Sequence, residues 1–348
     1  MKLVKGAQSI AYDRAPYLIS SASVVGKKEG EGPIGEMFDL VGESDLFGEN
    51  TWEEAESTMQ REACLLAMGK AHVSQNQVRY LFGGDLLRQG IATSMGVEKL
   101  QIPMFGLYGA CSTSGEALAL ASMSVAAGYG EYILAVTSSH FGSAEKEFRF
   151  PLGYANQRPL SSHWTVTGSG AFLVQSAEEY RKQNTKSYFS NIRITGVTVG
   201  KIVDYGLKDS QNMGACMAPA AMDTIVQNFQ DMERKEKDYD RIITGDLGSI
   251  GRTILFDLIR EKGYEICEKH MDCGMTIFDK ERQDTHAGGS GCGCAAVTLA
   301  SYVLPKLEKG EWKRVLFVPT GALMSTVSFN EGASVPGIAH GIVLESDA

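Results

Sequence analysis

The chain has 348 residues, 43% hydrophobic and 22% charged, enough to bury a large core in one big domain or two similar halves. A net charge of −9 excludes the footprint of a nucleic-acid binder and a polybasic membrane patch. Seven scattered cysteines suit reduced thiols rather than a disulfide framework.

In chain order, the N-terminus lacks the apolar core of a signal peptide. No run approaches the roughly 20 apolar residues of a membrane span, so any membrane association needs a partner. Tyr17 to Val25 reads as a strand, Gly26 to Glu31 as a charged turn and Phe38 to Asn50 as an acidic loop. Thr51 with Glu54 three residues on is a capping-box pattern, opening a helix to about Lys70. Val78 to Gly84 is a strand, and Leu86 to Gln89 a turn or short helix. The run Met104 to Gly109 then meets Cys111, small polar residues and an alanine-rich helix ending near Gly128 to Gly130. That is strand, tight turn, cysteine, helix. Unpaired N–H groups and the helix dipole favour a thiolate there.

Tyr132 to Thr137 is a buried strand, and Ser138 to Ser162 a long excursion carrying Phe148, Phe150, Pro151, Tyr154 and Pro159. Trp164 to Val174 reads as a hairpin-like strand pair, and Glu178 to Lys186 as a surface connection. Met213, Met217 and Met222 read as core or interface packing, and Asp231 to Asp240 as a solvated helix end. Cys292-Gly-Cys294 has no second pair in register, so no metal site is expected.

The second half restates the first. Val25-Gly-Lys27 is echoed by Val199-Gly-Lys201, and Gly84-Asp-Leu86 by Gly245-Asp-Leu247. Gly115-Glu-Ala117 is echoed by Gly293-Cys-Ala295, Gly130-Glu-Tyr132 by Gly310-Glu-Trp312, and Gly170 to Val174 by His340 to Leu344. The shared order predicts duplicated α/β halves, 1–186 with the cysteine turn and 187–348, each with a largely parallel buried sheet.

With these residues in hand, the chain resembles the thiolase superfamily. Gly109-Ala-Cys111-Ser-Thr-Ser-Gly115 is similar to the cysteine elbow of β-ketoacyl-acyl-carrier-protein synthase III enzymes. The resemblance implies a duplicated five-layered α-β-α-β-α sandwich and a homodimer. His286 to Cys294 and the Phe38 to Trp52 loop resemble, more narrowly, the family of stage V sporulation AD proteins. That family implies binding of dipicolinic acid (pyridine-2,6-dicarboxylate) or its calcium chelate, for uptake into the developing spore. It also implies a peripheral place on the spore inner membrane, with the other proteins of the stage V sporulation A operon as partners.

A condensing enzyme adds a base and an oxyanion hole to its thiol. Where synthase III enzymes carry Pro-His-x-x-Asn, this chain reads Thr244-Gly-Asp246-Leu-Gly248, with neither His nor Asn. His286 fits the Gly-His-Pro element in part, and the second cysteine of thiolases is absent from Pro319 to Ser325. The expectation is a binding protein rather than an enzyme, without a cofactor. Activity, if present, would use Cys111 with His286. A small planar dicarboxylate needs N–H donors, hydroxyls and apolar walls. The expected ligand-binding residues are Cys111, His163, His286, Thr320 and Ser325, with N–H groups from Gly288 to Gly291.

Overall fold

A computed structural model describes residues 3–87, 89–148, 158–182 and 191–347. Phe150, Pro151 and Tyr154 of the excursion lie outside these residues, as does the end of the Glu178 to Lys186 connection.

Ten strands carry the architecture. In the first half they are β1 (Tyr17–Val25), β2 (Val78–Asp85), β3 (Met104–Gly106), β4 (Tyr132–Ser139) and β5 (Gly168–Gln175). In the second they are β6 (Ile192–Thr198), β7 (Arg241–Thr244), β8 (His270–Asp272), β9 (Arg314–Val318) and β10 (Gly341–Ser346). The first sheet runs β1-β5-β4-β2-β3, and the second repeats it as β6-β10-β9-β7-β8. The two join where Tyr17 pairs with Arg193. Every echoed landmark falls on an equivalent element.

The sheets are mixed rather than largely parallel. β5 runs antiparallel to both β1 and β4, while β4, β2 and β3 are mutually parallel. Burial on both faces makes a strand apolar throughout whichever way it runs, so the pattern carried no direction. β4 illustrates it, with all eight residues buried.

The central layer is α2 (Thr113–Ala126) against α6 (Cys292–Thr298), which continues through a π turn into Leu304–Glu308. The echoed glycines explain their approach. A Cβ on Gly115 would meet Pro319 and the His340 carbonyl of the second half at 3.2 Å. A Cβ on Gly293 would lie 2.4 Å from the Gly168 carbonyl of the first. Each buried helix therefore presses a glycine against the other half's sheet.

The outer layers are α1 (Trp52–Lys70) on the first sheet and α4 (Met213–Asp231) with α5 (Gly248–Glu261) on the second. The Thr51–Glu54 capping box forms as expected, with Glu54 N–H donating to Thr51 Oγ1 at 3.2 Å. α1 buries Ala55, Met59, Ala63 and Ala67 along one stripe at a spacing of four. Asp231 departs from the solvated helix end. It is buried and accepts the Ala7 and Gln8 N–H groups at 2.9 Å, tying the N-terminal segment to α4.

Two local expectations also change. Trp164–Thr165 pairs in parallel with Gly289–Ser290 of the second half, not as a hairpin with β5. The excursion contains a helix, α3 (Phe141–Phe148), between α2 and α4 in chain order.

Candidate functional site

Cys111 sits on a tight turn between β3 and α2. Ala110 adopts φ +49°, a conformation rare outside glycine. Ser112 Oγ donates to Gly109 O at 2.7 Å, and Thr113 Oγ1 to Ala110 O at 2.6 Å. The turn thus fixes itself and points Cys111 at the end of the second sheet.

Asp246 meets it there, fully buried just after β7. Its carboxyl accepts Thr320 Oγ1–H at 2.7 Å and Gly291 N–H at 3.0 Å, and faces the Cys111 thiol. Burial drives the Asp246 carboxyl up to about 7. Burial, then the Asp246 charge and the Cys292 thiol, push Cys111 well above the ordinary thiol value.

This reverses the thiolate expected at a helix start. The dipole effect is worth about 1 kcal/mol, and desolvation of a charged sulfur outweighs it. The first-turn N–H groups are also occupied: those of Thr113 and Glu116 bond to Ala110 O and Ser112 O.

A cavity opens beside the thiol, lined by Leu86, Tyr108, Ala110, Ala144, Glu145 and Phe148 from the first half. Ser162, His163, Thr165, Ser210, Gln211, Met213, Ser290, Ala322 and Met324 complete it. Its void is about 40 Å³. No Lys or Arg occurs among these lining residues, and Glu145 brings a buried carboxyl. The Gln211 amide oxygen is buried with no partner among the described residues.

The expected site residues divide. Cys111 and His163 line the cavity, and His163 Nε2–H donates to Leu247 O at 3.2 Å. Thr320 does not line it, but orients Asp246 from behind. Ser325 precedes the short helix Thr326–Asn330, beyond the lining residues Ala322 and Met324. His286 is absent from the lining. It has φ +53°, and its ring faces Pro159 O at 2.9 Å and Asp284 Oδ1 at 3.1 Å. The glycine turn spends its donors internally, Gly288 N–H on Thr285 O and Gly291 N–H on Asp246. Among the described residues, no group of His, Cys, Asp and Glu could hold a metal ion.

Glu145, Gln211 and Met213 join the cavity in addition to the expected site residues. Met213 belonged to a methionine group of which Met217 and Met222 are indeed core. Glu145 carried no signal, because its α3 lay within the unassigned excursion.

Asp246→Asn is expected to lower the Cys111 thiol value by removing the facing charge. Iodoacetamide should then alkylate Cys111 about tenfold faster than in the unmodified chain, where the partly exposed Cys267 reacts first. Peptide mapping by mass spectrometry reads both rates, and unchanged Cys111 alkylation in the variant would refute the Asp246 assignment.

The profile of the family Stage V sporulation protein AD (SpoVAD) matches residues 6–345. The Stage V sporulation protein AD of Bacillus subtilis (strain 168) is 39% identical over 345 residues, covering 99% of this chain and 98% of that protein. Solved structures share the fold at low identity. The 3-oxoacyl-[acyl-carrier-protein] synthase III of Aquifex aeolicus VF5 has a TM-score of 0.57 at 12% identity, over 95% of this chain and 99% of its own. The human mitochondrial 3-ketoacyl-CoA thiolase has a TM-score of 0.57 at 12% identity, over 96% and 99%. Together with the duplicated sheet order, these matches establish a thiolase-like fold, and the chain belongs to the stage V sporulation protein AD family.

Proposed function

We propose that this chain is a non-catalytic binding protein for dipicolinic acid or its calcium chelate, serving uptake into the developing spore. The observation that carries the non-catalytic part is the Cys111–Asp246 contact. A thiol held well above its ordinary value faces a carboxyl near 7, so proton transfer to that carboxyl runs uphill. The cavity's chemistry supports the ligand class. Tyr108 and Phe148 offer walls to a planar ring, and Ser162, His163, Ser210 and Gln211 offer polar contacts. Glu145, with no Lys or Arg among the described lining residues, favours a charge-neutral calcium chelate over the free dianion.

Titration calorimetry tests this. Saturable binding of dipicolinate, with or without calcium, is expected, and no binding by the folded chain in either case would sink the proposal. Acyl transfer through Cys111 is the second reading, favoured by the retained elbow. A stable acyl adduct on Cys111 after incubation with acyl-CoA donors would support it.

No helix among the described residues is long and apolar enough to cross a membrane. A place on the spore inner membrane would therefore come through the other stage V sporulation A-operon proteins. Homodimerisation belongs to the same proposal. β3 is the outer strand of its sheet, with Phe105 54% exposed and Met104 and Tyr108 beside it. An apolar edge with free ladder groups invites a second strand. Phe105→Glu is expected to convert a dimer to monomer in light scattering after gel filtration. A dimer unchanged by the charge would move the interface elsewhere.

A further inference from the structure

Outside the cavity, the Trp164 ring gathers unusual company. Phe141 lies parallel to it at 3.8 Å and so occupies one face. Lys28 Nζ stands 4.1 Å from the ring centroid, and the Arg158 guanidinium carbon 4.9 Å. With one face filled, the two cations share the other side.

The local charges do not balance. Arg158 pairs with Asp284 Oδ2 at 2.8 Å, and the second Asp284 oxygen faces His286 Nε2. Among the described residues Lys28 has no ion-paired carboxylate, and its Nζ donates to the Gln283 carbonyl at 2.6 Å. Glu29, the adjacent acid, is buried against Thr167 and held up to about 8, so it is neutral at pH 7. The Arg158 side chain is 5% exposed, and its Nη1 is buried with no partner among the described residues. A buried guanidinium nitrogen without an acceptor is costly unless something supplies one.

We propose that Lys28 and Arg158 on the Trp164 ring form a site for a small carboxylate or phosphate anion. Lys28, the more exposed cation, meets the anion first, and Arg158 supplies charge and a free N–H from beneath. The cations also help hold Gln283 and Asp284, through Lys28 Nζ to the Gln283 carbonyl and Arg158 to the Asp284 carboxylate. A purely structural clasp predicts lost stability on substitution without any anion binding. The proposal does not depend on the function assigned to the cavity, because Trp164, Lys28 and Arg158 are outside its lining.

The test titrates the full chain calorimetrically with inorganic phosphate and, separately, with malonate, at ionic strength fixed by sodium chloride. Saturable binding of at least one is expected, and which one identifies the group recognised. Lys28→Ala should weaken it about tenfold, and Lys28→Arg should restore most of it. Quenching of Trp164 fluorescence in a chain with Trp52→Phe and Trp312→Phe should follow the same curve. No saturation by either anion, or equal binding by Lys28→Ala, overturns the proposal. Dipicolinate binding by Lys28→Ala then separates this outcome from failure at the cavity.

Discussion

Asp272→Ala is expected to lower the unfolding free energy by about 3–5 kcal/mol and to loosen the wall of the cavity. Asp272 is a buried junction at the end of β8. One oxygen accepts Thr244 Oγ1–H at 2.6 Å and Leu247 N–H at 2.9 Å. The other accepts Gly248 N–H at 3.2 Å and Met275 N–H at 3.1 Å. The carboxylate therefore holds the start of α5 and the first turn of Cys273–Ile277 at once. Alanine orphans the three backbone donors, while the Thr244 hydroxyl can turn to His270 Nε2 at 3.0 Å. Each orphan costs about 1–3 kcal/mol, and partial hydration makes the total less than the sum. The effect reaches the site through Gly248, which has φ +63° and packs against His163 so tightly that a Cβ would lie 2.5 Å from Nε2. Loss of the anchor frees this loop, His163 and the neighbouring Asp246 together. Chemical denaturation should show a lower midpoint with an unchanged slope, and Asp272→Asn should fall between the two. A loss below about 1 kcal/mol in the alanine variant would show that the donors find other acceptors.

The parts of this molecule legible in its sequence are those set by local chemistry or by repetition. Thr51 and Glu54 specify a helix start because both partners of the capping box lie within one turn. The paired landmarks disclosed the duplication, and Gly115 and Gly293 turned out to mark where each central helix crosses to the other half. The site was less legible, because its decisive contact joins Cys111 to Asp246 across the two halves. Asp246 is visible as a replacement for an expected His–Asn element, but its hydrogen bonds to Thr320 and Gly291 and its approach to Cys111 come from three separate segments. Thiol acidity was misjudged for the same reason. A helix start is written in adjacent residues, whereas desolvation by both halves is not. His286 differs: with positive φ, it sets its ring against Pro159 O and behind Ser162, which lines the cavity in its place.

The chain is expected to be more stable at pH 6.5 than at pH 8, by on the order of 2–4 kcal/mol, with little further gain below pH 6.5. The cause lies in carboxyl groups whose burial outweighs the charges beside them. Glu56 lies on the buried face of α1, where its Oε1 accepts Ser138 Oγ–H at 2.7 Å. Gln60 Nε2 joins that serine to Thr93, whose hydroxyl donates to Asp85. Burial, then the Asp85 charge, raise Glu56 to about 8, and burial raises Glu29 to about 8 and Asp246 to about 7. Ordinary values are 4.5 for Glu and 3.8 for Asp. Between the ordinary and folded values, the native chain holds protons that the unfolded chain has released. Stability is therefore lost as pH rises through 7 to 8.

The histidines act in the opposite sense at lower pH. Burial lowers His140, His270 to about 3 and His340 to about 4. Below about 6.5 the unfolded chain gains protons that these native rings refuse, which cancels the carboxyl gain. Glu56→Gln keeps an oxygen for Ser138 and removes one titration, so it should flatten the rise between pH 8 and 6.5 by about a third or more. Thermal unfolding across pH 5 to 8.5 provides the measurement. A melting temperature that rises steadily to pH 8.5, or a Glu56→Gln profile parallel to that of the unmodified chain, would mean these carboxyls are charged and compensated in the native state.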